Sequence, residues 1–112
     1  MKLAPVRKLA LSLPEVTEAP HFDYASFRVR GKIFLTVPPG DEFLHVFVSE
    51  ALREPALAMY PEFLEKLTWG KRVVGLRVTL GQATPGGVKG LVSQAWEAKA
   101  PASLRASRPA KA

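Results

Sequence analysis

The chain has no cysteine. That excludes a disulfide framework, thiolate catalysis and any zinc site built on sulfur ligands. Histidine is nearly absent too: His21 and His45 are too few for a His-rich metal site. No run approaches the ~20 apolar residues that span a bilayer. Arg7 and Lys8 interrupt the apolar N-terminal stretch, so a secretion signal is not expected. These absences predict a cytoplasmic protein without membrane association. Phosphate-loop motifs are also missing. GQATPGGVKG, residues 81–90, lacks a Gly-Lys-Ser/Thr after a four-residue gap, and no G-x-G-x-x-G occurs. Pro85 removes one N–H donor from that segment, which reads as a plain strand-to-helix turn.

With 112 residues, 47% apolar and 23% charged, the chain fits one globular domain, not two and not a disordered polymer. The formal charge is +6, but residues 101–112, PASLRASRPAKA, hold Arg105, Arg108 and Lys111 and no acid. Without those three the body carries 13 basic and 10 acidic residues, a charge of only +3. The expected organisation is a single domain over residues 1–100 followed by a basic, Pro/Ala-rich flexible tail over 101–112.

Ten prolines punctuate the sequence. Before Pro14, Leu3, Val6, Ala10 and Leu13 recur at helical spacing. Residues 14–23, PEVTEAPHFD, have no period and read as a loop. YASFRVRGKIFLTV reads as two strands joined at a three-residue loop, Arg30-Gly31-Lys32. That register sets Val29 opposite Ile33, Phe27 opposite Leu35 and Ala25 opposite Val37 on one apolar face. Ser26, Arg28, Phe34 and Thr36 then go to the other. EFLHVFV is a third strand, with Leu44, Val46 and Val48 inward and Phe43, His45 and Phe47 outward. Ser49 can cap a helix within 50–60, which Pro55 kinks or restarts. Residues 61–71 are ambiguous between a helical turn and a short strand at Leu67–Trp69. RVVGLRVTL alternates as a strand, with Val74, Leu76, Val78 and Leu80 on one face and Val73, Gly75, Arg77 and Thr79 on the other. Thr84-Pro85 starts a helix whose stripe is Val88, Leu91, Val92, Ala95 and Trp96, ending near Lys99 before Pro101. No internal repeat is visible. The order α-β-β-β-α-(β)-β-α predicts a two-layer α+β domain: an antiparallel sheet of four or five strands with helices mainly on one face.

Candidate chemistry is sparse. His21 lies two residues from Asp23, which could orient an imidazole for catalysis or ligand binding, but the pair reads first as satisfying loop backbone groups. No carboxylates are paired in a way that would separate their pKa values, and neither a catalytic residue nor a cofactor is expected. The remaining constellation is the outward sheet face, where Arg28, Phe34, Phe43, His45, Phe47 and Arg77 project together. Arg30 and Lys32 lie at the nearby hairpin tip. Basic groups neutralise phosphates and aromatic faces stack unpaired bases. The same phenylalanines also fit a homodimer interface or the underside of a helix.

LALSLPEVTEAPHFDYASFRVRGKIFLTV resembles the start of the MmcQ/YjbR-like family of small bacterial proteins. Its members begin with a helix ending in Leu-Pro, then a Pro-His loop, a Ser-Phe-Arg-Val strand and a Gly-Lys-aliphatic-Phe strand. RVVGLRVTL and QAWEAKAPASL resemble that family's last strand and its Ala-rich final helix, so the likeness runs to about Leu104. Where members often carry an aromatic residue at the start of the last strand, this chain has Val73 and Val74. The resemblance implies an antiparallel α+β fold similar to frataxin-like proteins and to a "double wing" DNA-binding arrangement. A frataxin-like iron role would need an acidic ridge. Glu15, Glu18 and Asp23 are the nearby acids, on a net positive body. The expected function is therefore non-enzymatic binding of DNA or RNA through Arg28, Arg30, Lys32, Lys71, Arg72 and Arg77. The alternative is a structural or interaction protein that pairs through Phe34, Phe43 and Phe47.

Overall fold

A computed structural model describes residues 1–106. Helix α1 (Leu3–Ser12) buries Leu3, Val6 and Ala10, with Leu13 just beyond it, which is the face its spacing predicts. Strands β1 (Val16–His21), β2 (Tyr24–Val29), β3 (Lys32–Val37) and β4 (Phe43–Val46) follow as an antiparallel meander. Helix α2 (Glu50–Met59) leads to the hairpin β5 (Leu64–Trp69) and β6 (Arg72–Thr79). A 3-10 turn (Leu80–Gln82), helix α3 (Pro85–Lys99) and the short α4 (Ala102–Ala106) complete the described chain. The six strands form one antiparallel sheet in the order β1-β2-β3-β4-β6-β5.

One core lies between the sheet and the helices. Phe27, Val29, Leu35, Leu44, Val46, Leu76 and Val78 supply it from the strands, and Val88, Leu91, Val92, Ala95 and Trp96 from α3. Helix α3 lies over β3 and β4, α1 packs on β1 and α3, and α2 packs on β5 and β6. The Trp96 indole N–H donates to the Pro14 carbonyl (3.1 Å), tying α3 to the turn after α1. Thr84 accepts from the Gly87 amide (3.3 Å) at the start of α3. Ser49 stands at the N-cap of α2, but its side chain caps nothing, and α2 runs through Pro55 without a break.

Several expectations need correction. Residues 16–21 are a strand, not a loop. β1 is a largely exposed edge, so it has no apolar period to read, and an edge tolerates Pro20 because the ladder there needs no N–H on the outer side. With β5 formed as well, the sheet has six strands instead of four or five. The β2–β3 turn has two residues, Arg30 and Gly31, both at positive φ (48° and 81°). That is the type I′ pattern matched to strand twist. Val29 therefore pairs with Lys32, and Arg28 with Ile33. A bulge at Phe34 then restores the Phe27–Leu35 and Ala25–Val37 pairs. Because the bulge breaks alternation, Phe34 and Leu35 both turn into the core, and Phe34 is 0% exposed instead of outward-facing.

The β5–β6 hairpin repeats this plan. Its turn is Gly70-Lys71, with Gly70 at φ 60°. Trp69 pairs with Arg72 and Thr68 with Val73, and a bulge at Val74 precedes the Leu67–Gly75 pair. The tail expected from residue 101 is partly structured: α4 spans Ala102–Ala106, Leu104 is buried in the core, and Arg105 donates to the Glu97 carbonyl (3.1 Å). The rest of that predicted tail, residues 107–112, lies outside the described residues.

Candidate functional site

The face of the sheet away from the helices carries a polar row across five strands, Ser26, Thr36, His45, Arg77 and Glu65 in register, with Ala19 of β1 continuing it. Ser26 donates to the Ala19 carbonyl (2.6 Å), and the Thr36 hydroxyl lies 3.4 Å from His45 Nδ1. Arg77 Nε donates to His45 Nε2 (3.3 Å), and its Nη1 reaches Glu65 (3.5 Å). The Arg77 guanidinium also lies over the Phe43 ring, 5.0 Å from its centroid. His45 is buried. Burial first, then the adjacent Arg77 charge, lower its pKa to about 4, so the imidazole is neutral near pH 7. With Nε2 accepting from Arg77, the proton resides on Nδ1 and points to Thr36.

Next to this row the sheet opens into a cleft of about 720 Å³. Its position follows from strand length. β4 makes its last ladder pairs at Val46, with Leu35 on one side and Leu76 on the other. Beyond that line the two hairpin arms continue without a strand between them. Ile33 lines the cleft from one arm and Trp69, Arg72, Val73 and Val74 from the other, with Phe47–Ser49 leaving β4 between them. Arg53 of α2, Lys99 of α3, and His21, Phe22 and Tyr24 from the β1–β2 hairpin complete the lining. No aspartate or glutamate lines this cleft, whereas Arg53, Arg72 and Lys99 all do. An adjoining depression shares Arg53 and Arg72 and does hold the acids Glu50 and Glu54. Glu54 is paired with Lys66 (3.2 Å).

Two aromatic side chains at the cleft are unusually exposed. Trp69 is 61% exposed while packed edge-to-face on Phe47 (centroids 5.6 Å apart, planes at 61°). Phe22 is 91% exposed and occupies the β1–β2 turn at φ 57°, a backbone region that bulky side chains rarely adopt. Its ring meets His21 edge-on at 4.9 Å.

The six cations expected from the sequence do not form one platform. Arg72 lines the cleft with Lys71 beside it, and neither makes an ion pair among the described residues. Lys32, beside the β2–β3 turn, also makes no ion pair among the described residues. Arg28 is half-buried and donates to Ser26 (3.3 Å). Arg30 forms a two-pronged contact with Glu15 (3.0 and 2.9 Å). Hydrogen bonding to Arg30 lowers the Glu15 pKa, and the same contact raises that of Arg30. Arg77 is held by His45, Glu65 and Phe43. Glu18, another acid near the first hairpin, pairs with Arg7 (3.0 Å). Among the described residues no group of three or more His, Asp or Glu is placed to hold a metal ion, no hydrogen bond joins His21 to Asp23, and no helix is long and apolar enough to cross a membrane.

Sequence reasoning missed Trp69, Phe22, Arg53 and Lys99. For Trp69 a signal existed: an aromatic residue directly before Gly-Lys, a hairpin-turn pair. Arg53 and Lys99 come to line one cleft only through tertiary packing, which no local pattern encodes.

The molecule is thus a six-stranded antiparallel α+β domain with helices on one face and a basic, aromatic cleft between two hairpin arms. The family model described as YjbR matches residues 11–98, and the chain belongs to the YjbR family. No curated protein and no solved structure matches the chain.

Proposed function

We propose that the protein is a non-catalytic nucleic-acid-binding domain whose ligand occupies the cleft between the hairpin arms. The observation that carries this reading is the lining itself: Arg53, Arg72 and Lys99 with exposed aromatic rings and no carboxylate. A surface of one charge sign recessed in low-dielectric walls focuses its field on an anion. Flat rings beside it favour a ligand that pairs phosphates with aromatic bases. Among the described residues Lys71, Arg72 and Lys32 are expected contacts without an ion pair; Arg30 and Arg77 are held by acids, and Arg28 is half-buried against Ser26. The non-catalytic part of the reading is supported by His45, whose two ring nitrogens both face protein partners. The competing reading, self-pairing through Phe34, Phe43 and Phe47, loses Phe34 to the core and has Phe43 covered on one side by Arg77.

The test is fluorescence anisotropy with labelled single- and double-stranded DNA across a salt titration. Three or four phosphate contacts give a log–log slope of about −2 to −3.5. No binding at low salt, or affinity indifferent to salt, removes the proposal. Loss of binding on deleting only residues 107–112 transfers it from the cleft to the basic end of the chain.

A further inference from the structure

We infer that the cleft takes a single strand, with one unpaired base stacked on Trp69 and the adjoining phosphate held by Arg72. This deepens the nucleic-acid reading above and rests on it. Trp69 and Arg72 are cross-strand partners at the end of the β5–β6 hairpin, so the indole and the guanidinium leave the same face of adjacent strands. A base and its own phosphate are separated by one sugar, a span matched to such a pair. The edge-to-face contact with Phe47 restrains the indole while leaving it largely open to solvent. Isolated apolar exposure is ordinary on protein surfaces. A tryptophan braced by a second ring, at the mouth of a cleft without acids, is a stacking platform.

Duplex DNA does not match this geometry. In a duplex the base faces are stacked on one another and only their edges line the grooves. A sequence reader of duplex DNA must place side chains on base edges within a groove, whereas Trp69 offers a ring face beside Arg72 at the cleft. Unpaired bases present a π-face whatever their identity, so the site is expected to tolerate sequence. Phe22 supplies the second indication. Its ring, 91% exposed, also lines the cleft and is displayed from a left-handed backbone position. Strain of that kind persists where the surroundings impose it, and it concentrates at ligand sites.

The chain reports on this directly. It has two tryptophans; Trp96 is fully buried in the core, so a ligand-dependent change in indole emission comes from Trp69. The experiment titrates the full chain with oligo(dT), with an oligo(dA)·oligo(dT) duplex and with free dTMP, following both tryptophan emission and anisotropy. Oligo(dT) is expected to bind best and to quench emission. Trp69→Ala is expected to weaken oligo(dT) binding about 10- to 100-fold, with Trp69→Phe recovering most of the loss. Far-UV circular dichroism of both variants verifies the fold. Equal affinity for oligo(dT) and duplex, with Trp69→Ala neutral, overturns the single-strand assignment and leaves nucleic-acid binding standing. Equal affinity for dTMP and oligo(dT) overturns the strand in favour of a nucleotide ligand. Absence of binding to all three at low salt overturns both this inference and the function it rests on.

Discussion

Arg77 donates from Nε to Nε2 of the His45 imidazole at 3.3 Å, a cation held against a buried ring that must stay neutral to accept it. The pair makes stability depend on pH. Burial and the Arg77 charge lower the His45 pKa to about 4 from an ordinary value of 6.5, so the unfolded chain binds the proton first as pH falls. The stabilisation is complete above pH 6.5, declines as pH drops and levels off below about 4. Its full size is about 3 kcal/mol. Urea unfolding at successive pH values is expected to show that loss. His45→Gln should flatten the profile between pH 6.5 and 4. An NMR titration that places the His45 pKa near 6.5 contradicts the account.

Gly75 is required by the closeness of two strands. A Cβ there would run into the Val46 carbonyl and crowd the backbone of Phe47, where β4 ends and the cleft begins. Backbone cannot swing aside as a side-chain tip can. Gly75→Ala is expected to destabilise the fold by about 2–3 kcal/mol. Gly90→Ala, facing open space within α3, should be neutral or stabilising. Unfolding midpoints of the two variants make the comparison.

The elements most legible in the sequence are those buried on one side. α1, α3, β4 and the second half of β6 show apolar spacing that matches their buried faces because each touches the core there, whereas a bulge turns Val74 out of the expected β6 face to line the cleft beside Val73. β1 was illegible because an edge strand open to solvent carries no such pattern. The bulges were illegible for a different reason. One extra residue in β3 leaves composition unchanged but shifts parity, which moved Phe34 from the proposed platform into the core. The cleft shares that difficulty, since it exists because β4 is shorter than its neighbours. Of the expected contacts, Arg72 lines the cleft and Lys71 stands beside it in the Gly70-Lys71 turn. Arg30 and Arg77 were overvalued because the acids that hold them, Glu15 and Glu65, are distant in sequence and adjacent only in the sheet.

That distinction separates two arginines experimentally. Arg72 lines the cleft without an ion-pair partner among the described residues, whereas Arg30 is clasped by Glu15. Arg72→Ala is expected to weaken DNA binding and to reduce the magnitude of the log–log salt slope by about 0.7 to 1. Arg30→Ala should leave both nearly unchanged. Because the Arg30–Glu15 pair is exposed, its removal is also expected to alter stability little. Salt-titrated anisotropy on the two variants decides the matter, and a larger effect at Arg30 would return the binding surface to the β2–β3 hairpin tip.

Phe22 offers the sharpest conflict between stability and binding. At φ 57° in a two-residue turn, glycine is better suited than phenylalanine, and the ring gains only an edge contact with His21. Phe22→Gly is therefore expected to stabilise the fold by about 0.5–1 kcal/mol. If the ring is displayed for a ligand, the same variant binds oligo(dT) more weakly, and Phe22→Tyr, which keeps the aromatic face, binds as the parent does. Thermal unfolding and anisotropy on the same samples give both readouts. A Gly variant that is more stable and binds equally well would show that the ring at the mouth of the cleft has no part in recognition, confining stacking to Trp69.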